Sequence, residues 1–137
     1  MRRAVIVDAG PIIAFLNSRD RHHNWAVARF GELQPPLVSC EAALSEACFV
    51  LRRFEGGPAG VVELVHRGVV ELPFVLEHEA SVVKRLLTRY RDVPMSLADA
   101  CLVRLSELRA DSEVMTLDGD FTIYRRHGRQ VIPLITV

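Results

Sequence analysis

Short apolar runs with the length and make-up of buried strands recur along the chain, separated by segments with helical spacing. The runs are AVIV (Ala4 to Val7), LVS (Leu37 to Ser39), VVEL (Val69 to Leu72), EVMTL (Glu113 to Leu117) and VIPLI (Val131 to Ile135). Pro11 to Leu16 reads as a short helix, and Asp20 is placed to cap a second one, RHHNWAVARFGEL. After Ser39, CEAALSEACFVLRRF sets Leu44, Cys48 and Leu51 at i, i+4 and i+7 until Gly56-Gly57 stops it. AGVVELVHRG, ending at Gly68, EHEASVVKRLLTRYR, and SLADACLVRLSEL after Pro94 supply the other helices. This alternation predicts an α/β fold in which a parallel sheet is covered by helices on both faces, in the order β-α-α-β-α-α-β-α-α-β-α-β. No repeat, low-complexity tract or linker interrupts it. A length of 137 residues, half of them hydrophobic, suits one domain over 1–137 with a substantial core.

In such a sheet, right-handed crossovers bring the carboxyl ends of the strands to one edge, where open α/β folds bind ligands. Asp8 ends the first apolar run on that edge, and Asp118 follows the fourth in MTLDGDF. Asp99 lies in the first turn of the helix after Ser96, and Glu46 about two turns into the helix after Ser39. Each has a local explanation. Asp8 alone is accounted for as a cap for the helix at Gly10-Pro11, Ser96-x-x-Asp99 fits a capping box, and a tight turn justifies Asp118 or Asp120 in LDGDF. Glu46 is harder to dismiss. Among Ala43, Leu44, Ala47, Cys48, Phe49 and Val50 it reads as a buried carboxylate, which is costly without a partner, and Arg53, seven positions on, is free to reach solvent instead. Carboxylates gathered together stay ionised only if positive charge compensates them, as a divalent cation does. Mg²⁺ suits this composition, since it takes oxygen ligands, keeps waters and binds through one or two carboxylates plus substrate phosphates. Such a site supports metal-assisted phosphodiester hydrolysis.

VIVDAGPIIAFLN with Asp8, LSEACFVLRR with Glu46, SLADACLV with Asp99 and TLDGDF with Asp118 resemble, in order and spacing, the four acidic motifs of the PIN-domain nucleases. The resemblance covers nearly the whole chain and is greatest to the VapC-type toxins of bacterial and archaeal toxin-antitoxin pairs. It implies a PIN-like parallel sheet of about five strands, Mg²⁺- or Mn²⁺-dependent endoribonuclease activity, a cognate antitoxin that blocks the site, and a homodimer. It also implies that Asp8, Glu46, Asp99 and Asp118 are catalytic and bind metal, directly or through water. Asp120 is carried over only as a supplementary ligand, and Thr116 as a hydroxyl that orients Asp8 or a water. One arrangement has Asp8, Asp99 and Asp118 holding the ion while Glu46 orients or deprotonates the attacking water; in another, Glu46 joins a second ion. Two alternatives stay open: a PIN-fold nuclease of RNA processing without an antitoxin, and a non-catalytic protein-binding module. A phosphoacceptor receiver domain also gathers aspartates at strand ends, but it wants a lysine after the last strand, and the only lysine, Lys84, lies in a mid-chain helix.

With 17 basic and 17 acidic residues the net charge is zero, so RNA must be met by local positive charge. Arg52 and Arg53, and Arg125, Arg126 and Arg129 after DGDF, are the candidates, with a solvated face as the equal alternative. Tyr124 is placed either to stack on a base or to pack. HHNWAVARF and AGVVELVHRG are apolar enough to meet a second copy or a partner's helix, although core packing explains the same residues. Cys40, Cys48 and Cys101 form no C-x-x-C and read as reduced core thiols, so neither a disulfide framework nor a zinc site is indicated. No apolar stretch is long enough to span a membrane, and Asp8 interrupts any secretory signal, which together predict a cytoplasmic protein. Adjacent His22 and His23 cannot share a helix face as a metal pair, and DGDFTIYRRHGR ends on Arg129 where a calcium loop needs glutamate. Nucleophile-elbow and P-loop signatures are absent.

Overall fold

In the computed structural model, which describes residues 3–137, the elements follow one another as β1 (Ala4–Val7), α1 (Ala9–Leu16), α2 (His23–Glu32), β2 (Leu37–Val38), α3 (Glu41–Val50), α4 (Gly57–His66), β3 (Val70–Glu71), α5 (Leu76–Arg89), α6 (Leu97–Leu108), β4 (Ser112–Met115), a 3₁₀ turn (Gly119–Thr122), β5 (Arg125–Arg126), β6 (Gln130–Val131) and β7 (Leu134–Ile135). The five-stranded sheet has the order β3-β2-β1-β4-β7, and every pairing in it is parallel. β1 is central because its β-branched run, Val5 to Val7, can be covered on both faces. Ile6 points into a core shared with Val38, Val114 and the inner faces of α5 and α6. Val7 points the other way, into a core built with Leu37, Met115, Ile12, Leu44, Leu51 and Val61. Strand periodicity alone produces this division, since successive side chains leave opposite faces.

The register fixes which strand ends share an edge. Ala4 lies opposite Ser112 and Val7 opposite Met115, so β1 and β4 end side by side. The Asp8 amide continues the ladder by donating to the Met115 carbonyl at 3.0 Å. α5 and α6 pack antiparallel on one face, with Glu79 near the start of α5 paired at 2.7 Å to Arg104 in the second half of α6. The beginning of α6, with Ser96 and Asp99, therefore lies at the same end as the finish of α5.

The sequence-predicted elements are met except near the carboxyl terminus. VIPLI does not form one strand. Pro133 has no amide hydrogen to donate to a ladder, and the segment divides into β6, which ends at Val131, and β7, which starts at Leu134. The helix expected between the fourth and fifth strands is a single 3₁₀ turn followed by an antiparallel β5–β6 ribbon. That ribbon reverses through His127 and Gly128, whose φ values of 50° and 80° are left-handed, a conformation glycine adopts without strain. Asp20 does not cap α2 directly; its carboxylate accepts from the His22 amide at 2.8 Å in the turn before the helix. Cys40 and Cys101 are buried free thiols, Cys48 is a half-buried one, and no helix among the described residues is long and apolar enough to cross a membrane.

Arg126, expected on an RNA-binding face, is instead buried. Its guanidinium donates to the Ser112 carbonyl at 2.5 Å, to the Ser112 hydroxyl at 2.8 Å and, at longer range, to Ser106 and the Ala110 carbonyl. Neighbouring residues of a strand face opposite sides, so of Arg125 and Arg126 one turns inward. Arg126→Ala strips these buried acceptors of their donor and is expected to lower unfolding stability by about 2–4 kcal/mol in urea titration, whereas exposed Arg129→Ala changes it by less than about 0.5 kcal/mol.

Candidate active site

Asp8 leaves β1 with extended backbone (φ −81°, ψ 169°) and caps α1, its Oδ1 accepting from the Ala9 amide at 2.7 Å. The capping reading is thus satisfied by one oxygen. Oδ2 accepts from the Thr116 hydroxyl at 2.8 Å, and that same oxygen of Thr116 accepts from the Asp118 amide at 2.9 Å. Thr116 therefore ties the ends of β1 and β4 together and sets where Asp118 begins its turn. Asp118 caps the 3₁₀ turn by accepting from the Asp120 amide at 2.9 Å. Gly10 permits a close approach here, because a Cβ on it would stand 3.3 Å from that of Leu117.

Asp99 enters from α6. The Ser96 hydroxyl caps that helix by accepting from the Asp99 amide at 3.0 Å, the predicted capping contact, and the Asp99 carboxylate, which also interacts with Ser96, faces the cavity. The buried Tyr124 hydroxyl donates to Asp99 Oδ2 at 2.7 Å, and its ring is held edge-on between Tyr90 and Phe121, each with centroids at 5.1 Å. Tyr124 is fully buried and is not a base-stacking platform. Its value as a partner of Asp99 escapes a sequence reading because 25 residues separate the two.

Asp8, Glu46, Asp99 and Asp118 line one cavity of about 430 Å³, with Ala9, Gly10, Ile13, Val50, Leu117 and Gly119. Asp8 and Asp99 are buried, while Glu46 and Asp118 are exposed. The expectation of a buried Glu46 is corrected: α3 leaves Phe49 and Val50 64% and 50% exposed, and its apolar run is a surface as well as a core face. Among the described residues, no arginine, lysine or histidine forms an ion pair with any of the four. Asp120, half-buried, is not among the lining residues.

The electrostatics follow from that crowding. The Asp8 carboxyl is pushed up to about 6, chiefly by burial, with the Asp99 and Glu46 charges adding and the Thr116 and Ala9 hydrogen bonds opposing. Glu46, though its side chain is exposed overall, is raised by partial desolvation of its carboxyl at the cavity and by Asp99 and Asp118, against a hydrogen bond with Ser96. Asp99 is raised by burial and by Asp118, against the hydrogen bond from Tyr124. Tyr124 in turn is driven up by burial and by Asp99, so it remains a donor at neutral pH.

Among the described residues no three Asp, Glu, His or Cys side chains form a ready-made coordination cluster. The carboxylates face a shared space instead of meeting at a point. That arrangement fits a hydrated Mg²⁺ or Mn²⁺, which takes a few carboxylates directly and reaches others through water, and the donor set is wholly oxygen.

The expected cationic residues scatter. Arg52 folds back over the Phe49 ring at 4.0 Å and donates to the Phe49 carbonyl, and Arg53 lines a separate pocket with Arg19 and Glu55. Arg125 donates to the carbonyls of Thr122, Ile123 and Tyr124, closing the 3₁₀ turn. Arg129 is exposed on the β5–β6 ribbon.

The raised carboxyls set the sign of the pH dependence. A group that binds its proton more tightly when folded makes stability fall as pH rises from its unfolded value, 3.8 for Asp8, to its folded value of about 6. Asp8→Asn removes that loss while keeping an oxygen for the Ala9 amide. Urea unfolding across pH is expected to show the variant more stable than the natural protein at about pH 7.5, by on the order of 1–2 kcal/mol, and a flatter curve between about pH 4 and 6.

The PIN domain family model matches residues 5–126. No curated protein sequence matches. Among solved structures, the crystal structure of Mycobacterium tuberculosis VapC20, a Sarcin-Ricin loop cleaving toxin, is similar with a TM-score of 0.74 and 21% identity, covering 95% of this chain and 100% of that one. At that identity the likeness establishes the shared fold. The family match takes in all four carboxylates of the cavity, and the chain belongs to the PIN domain family.

Proposed function

We propose that this chain is a divalent-metal-dependent endoribonuclease that hydrolyses RNA phosphodiester bonds, as the toxin of a toxin-antitoxin pair. The observation that carries the reading is the gathering of Asp8, Glu46, Asp99 and Asp118 around one cavity at the carboxyl edge of the sheet with no cation among the described residues paired to them. Carboxylates alone repel a phosphodiester, so the site makes sense as an RNA site only when a cation sits between them. When bound, Mg²⁺ or Mn²⁺ supplies charge to the phosphoryl oxygens and acidifies an attacking water.

The roles of the protein groups follow from their surroundings. Asp8 and Asp99 are held by hydrogen bonds from Thr116 and Tyr124, so each presents a fixed oxygen towards the cavity, and Asp118 stands on the turn that Thr116 positions. Glu46 is the solvent-facing member with a raised pKa, and it is the group suited to orient the water and take its proton. Asp120 acts at most in support.

The toxin assignment rests on membership of the PIN domain family and on the likeness to VapC20, described as cleaving the Sarcin-Ricin loop. An antitoxin that covers the site is favoured by the apolar rim: Val50 lines the cavity and is half-exposed, and Phe49 beside it is 64% exposed. Self-association belongs to the same reading.

Cleavage of RNA is expected with Mg²⁺ or Mn²⁺, to vanish with EDTA and to return when the ion is restored. Asp8→Asn, Asp99→Asn and Asp118→Asn are each expected to lower the rate by about 10²-fold or more, with circular dichroism unchanged. Cleavage that survives EDTA and these substitutions would remove the proposal.

A further inference from the structure

α5 divides into two faces. Val83 and Leu86 are buried against α6, whereas Ser81, Lys84, Arg85, Thr88 and Arg89 are exposed and line a depression of about 620 Å³ on its outer side. In a chain of zero net charge this is an uncompensated spot. Arg29, Arg67 and Arg104 pair with glutamates, and other arginines such as Arg19, Arg52 and Arg53 are in no ion pair among the described residues, whereas Lys84, Arg85, Arg89 and Arg91 are four cations towards one helix end with which no carboxylate among the described residues pairs. A surface tuned only for solubility intersperses the two signs.

The place of this cluster matters more than its charge. Because α5 runs antiparallel to α6, the basic end of α5 stands at the end of the molecule where Asp99 enters the cavity. The link is physical. Tyr90, which closes α5, packs on Tyr124, and Tyr124 donates to Asp99; the Tyr90 hydroxyl accepts from the Arg125 amide at 3.0 Å. Arg89 reaches across to the Gly128 carbonyl at 2.6 Å and so joins α5 to the β5–β6 ribbon that carries exposed Arg129. The ribbon leads directly from the turn that holds Asp118.

We infer that the outer face of α5, centred on Lys84, Arg85 and Arg89 and continued by Arg129, is a phosphate-binding track that holds RNA beyond the bond being cut. This rests on the nuclease reading and adds to it the surface that would offset the acidity of the cavity. The Ser81 hydroxyl beside the cations suits a single phosphate, the Thr88 hydroxyl being given to the Lys84 carbonyl at 3.0 Å, and none of the residues lining the depression is aromatic, so it grips RNA without reading sequence.

The test separates binding from cleavage by measuring fluorescence anisotropy of a single-stranded RNA of about 20 nucleotides in EDTA, over a range of salt. Lys84→Gln/Arg85→Gln spares Arg89 and its contact to Gly128, and glutamine keeps the helix. Its control, Arg29→Gln/Arg67→Gln, removes the same formal charge from two residues already paired to glutamates. The α5 variant is expected to bind about 5–10-fold more weakly at about 0.1 M salt, with the slope of log K against log salt shallower by about 1.4, while the control moves neither. Equal behaviour of the two variants overturns the inference, as does salt-dependent binding to phosphatidylserine vesicles through Lys84 and Arg85 with none to RNA. If RNA is still cut with Mg²⁺ while the two variants bind alike, only this track is lost; a protein that neither binds nor cuts RNA removes the nuclease reading as well.

Discussion

Parallel pairing of β1 with β4 places the residue after Val7 beside the residue after Met115, and from that register the rest of the site is built. Asp8 and Thr116 meet because both strands end together. Thr116 then fixes the Asp118 amide, and the shared cavity opens above them. A slip of one residue would turn the side chain of β1 that now faces α1 and α3 towards α5 and α6, so burial of Ile6 and Val7 on opposite faces enforces the register. Core packing and site geometry are thus one constraint.

What is assembled there works against the fold. Asp8 and Asp99 are buried close enough to other carboxylates that their protons are held more tightly than in the unfolded chain. Their hydrogen bonds from Thr116, Ala9 and Tyr124 soften this cost without cancelling it. On the proposed reading, local stability is given up where the reaction calls for concentrated negative charge, a conflict between levels that is characteristic of functional sites. The buried Arg126, by contrast, ties the β5–β6 ribbon to the start of β4 and serves the scaffold.

Much of this was legible in the amino-acid order, for reasons that differ by residue. AVIV followed by Asp, and EVMTL followed by Asp, announced strand ends because an apolar run cannot continue through a carboxylate; with right-handed crossovers those ends share an edge. Ser96-x-x-Asp99 reads as a capping box, and the cap is present, yet the Asp99 carboxylate that interacts with Ser96 also lines the cavity and accepts from Tyr124. Three features were hidden. Neighbouring Arg125 and Arg126 differ in fate because strand alternation sends them to opposite sides, and a two-residue strand gives no periodicity to detect. Glu46 looked buried among apolar neighbours, but α3 exposes Phe49 and Val50, and exposure of an apolar face depends on what else packs there. Tyr124 and Lys84 take their meaning from contacts made across the fold, which no local pattern encodes.

The central claim is that the four carboxylates act together on one kind of divalent ion. Calorimetric titration of Mn²⁺ at about pH 6, repeated in buffers of different ionisation heat, measures this directly, because a cation that enters beside Asp8 must displace the proton that burial holds there. Saturable binding with about half a proton or more released per ion, the release fading by about pH 8, is the predicted result. Weak unsaturable binding, or saturation without proton release, would contradict it.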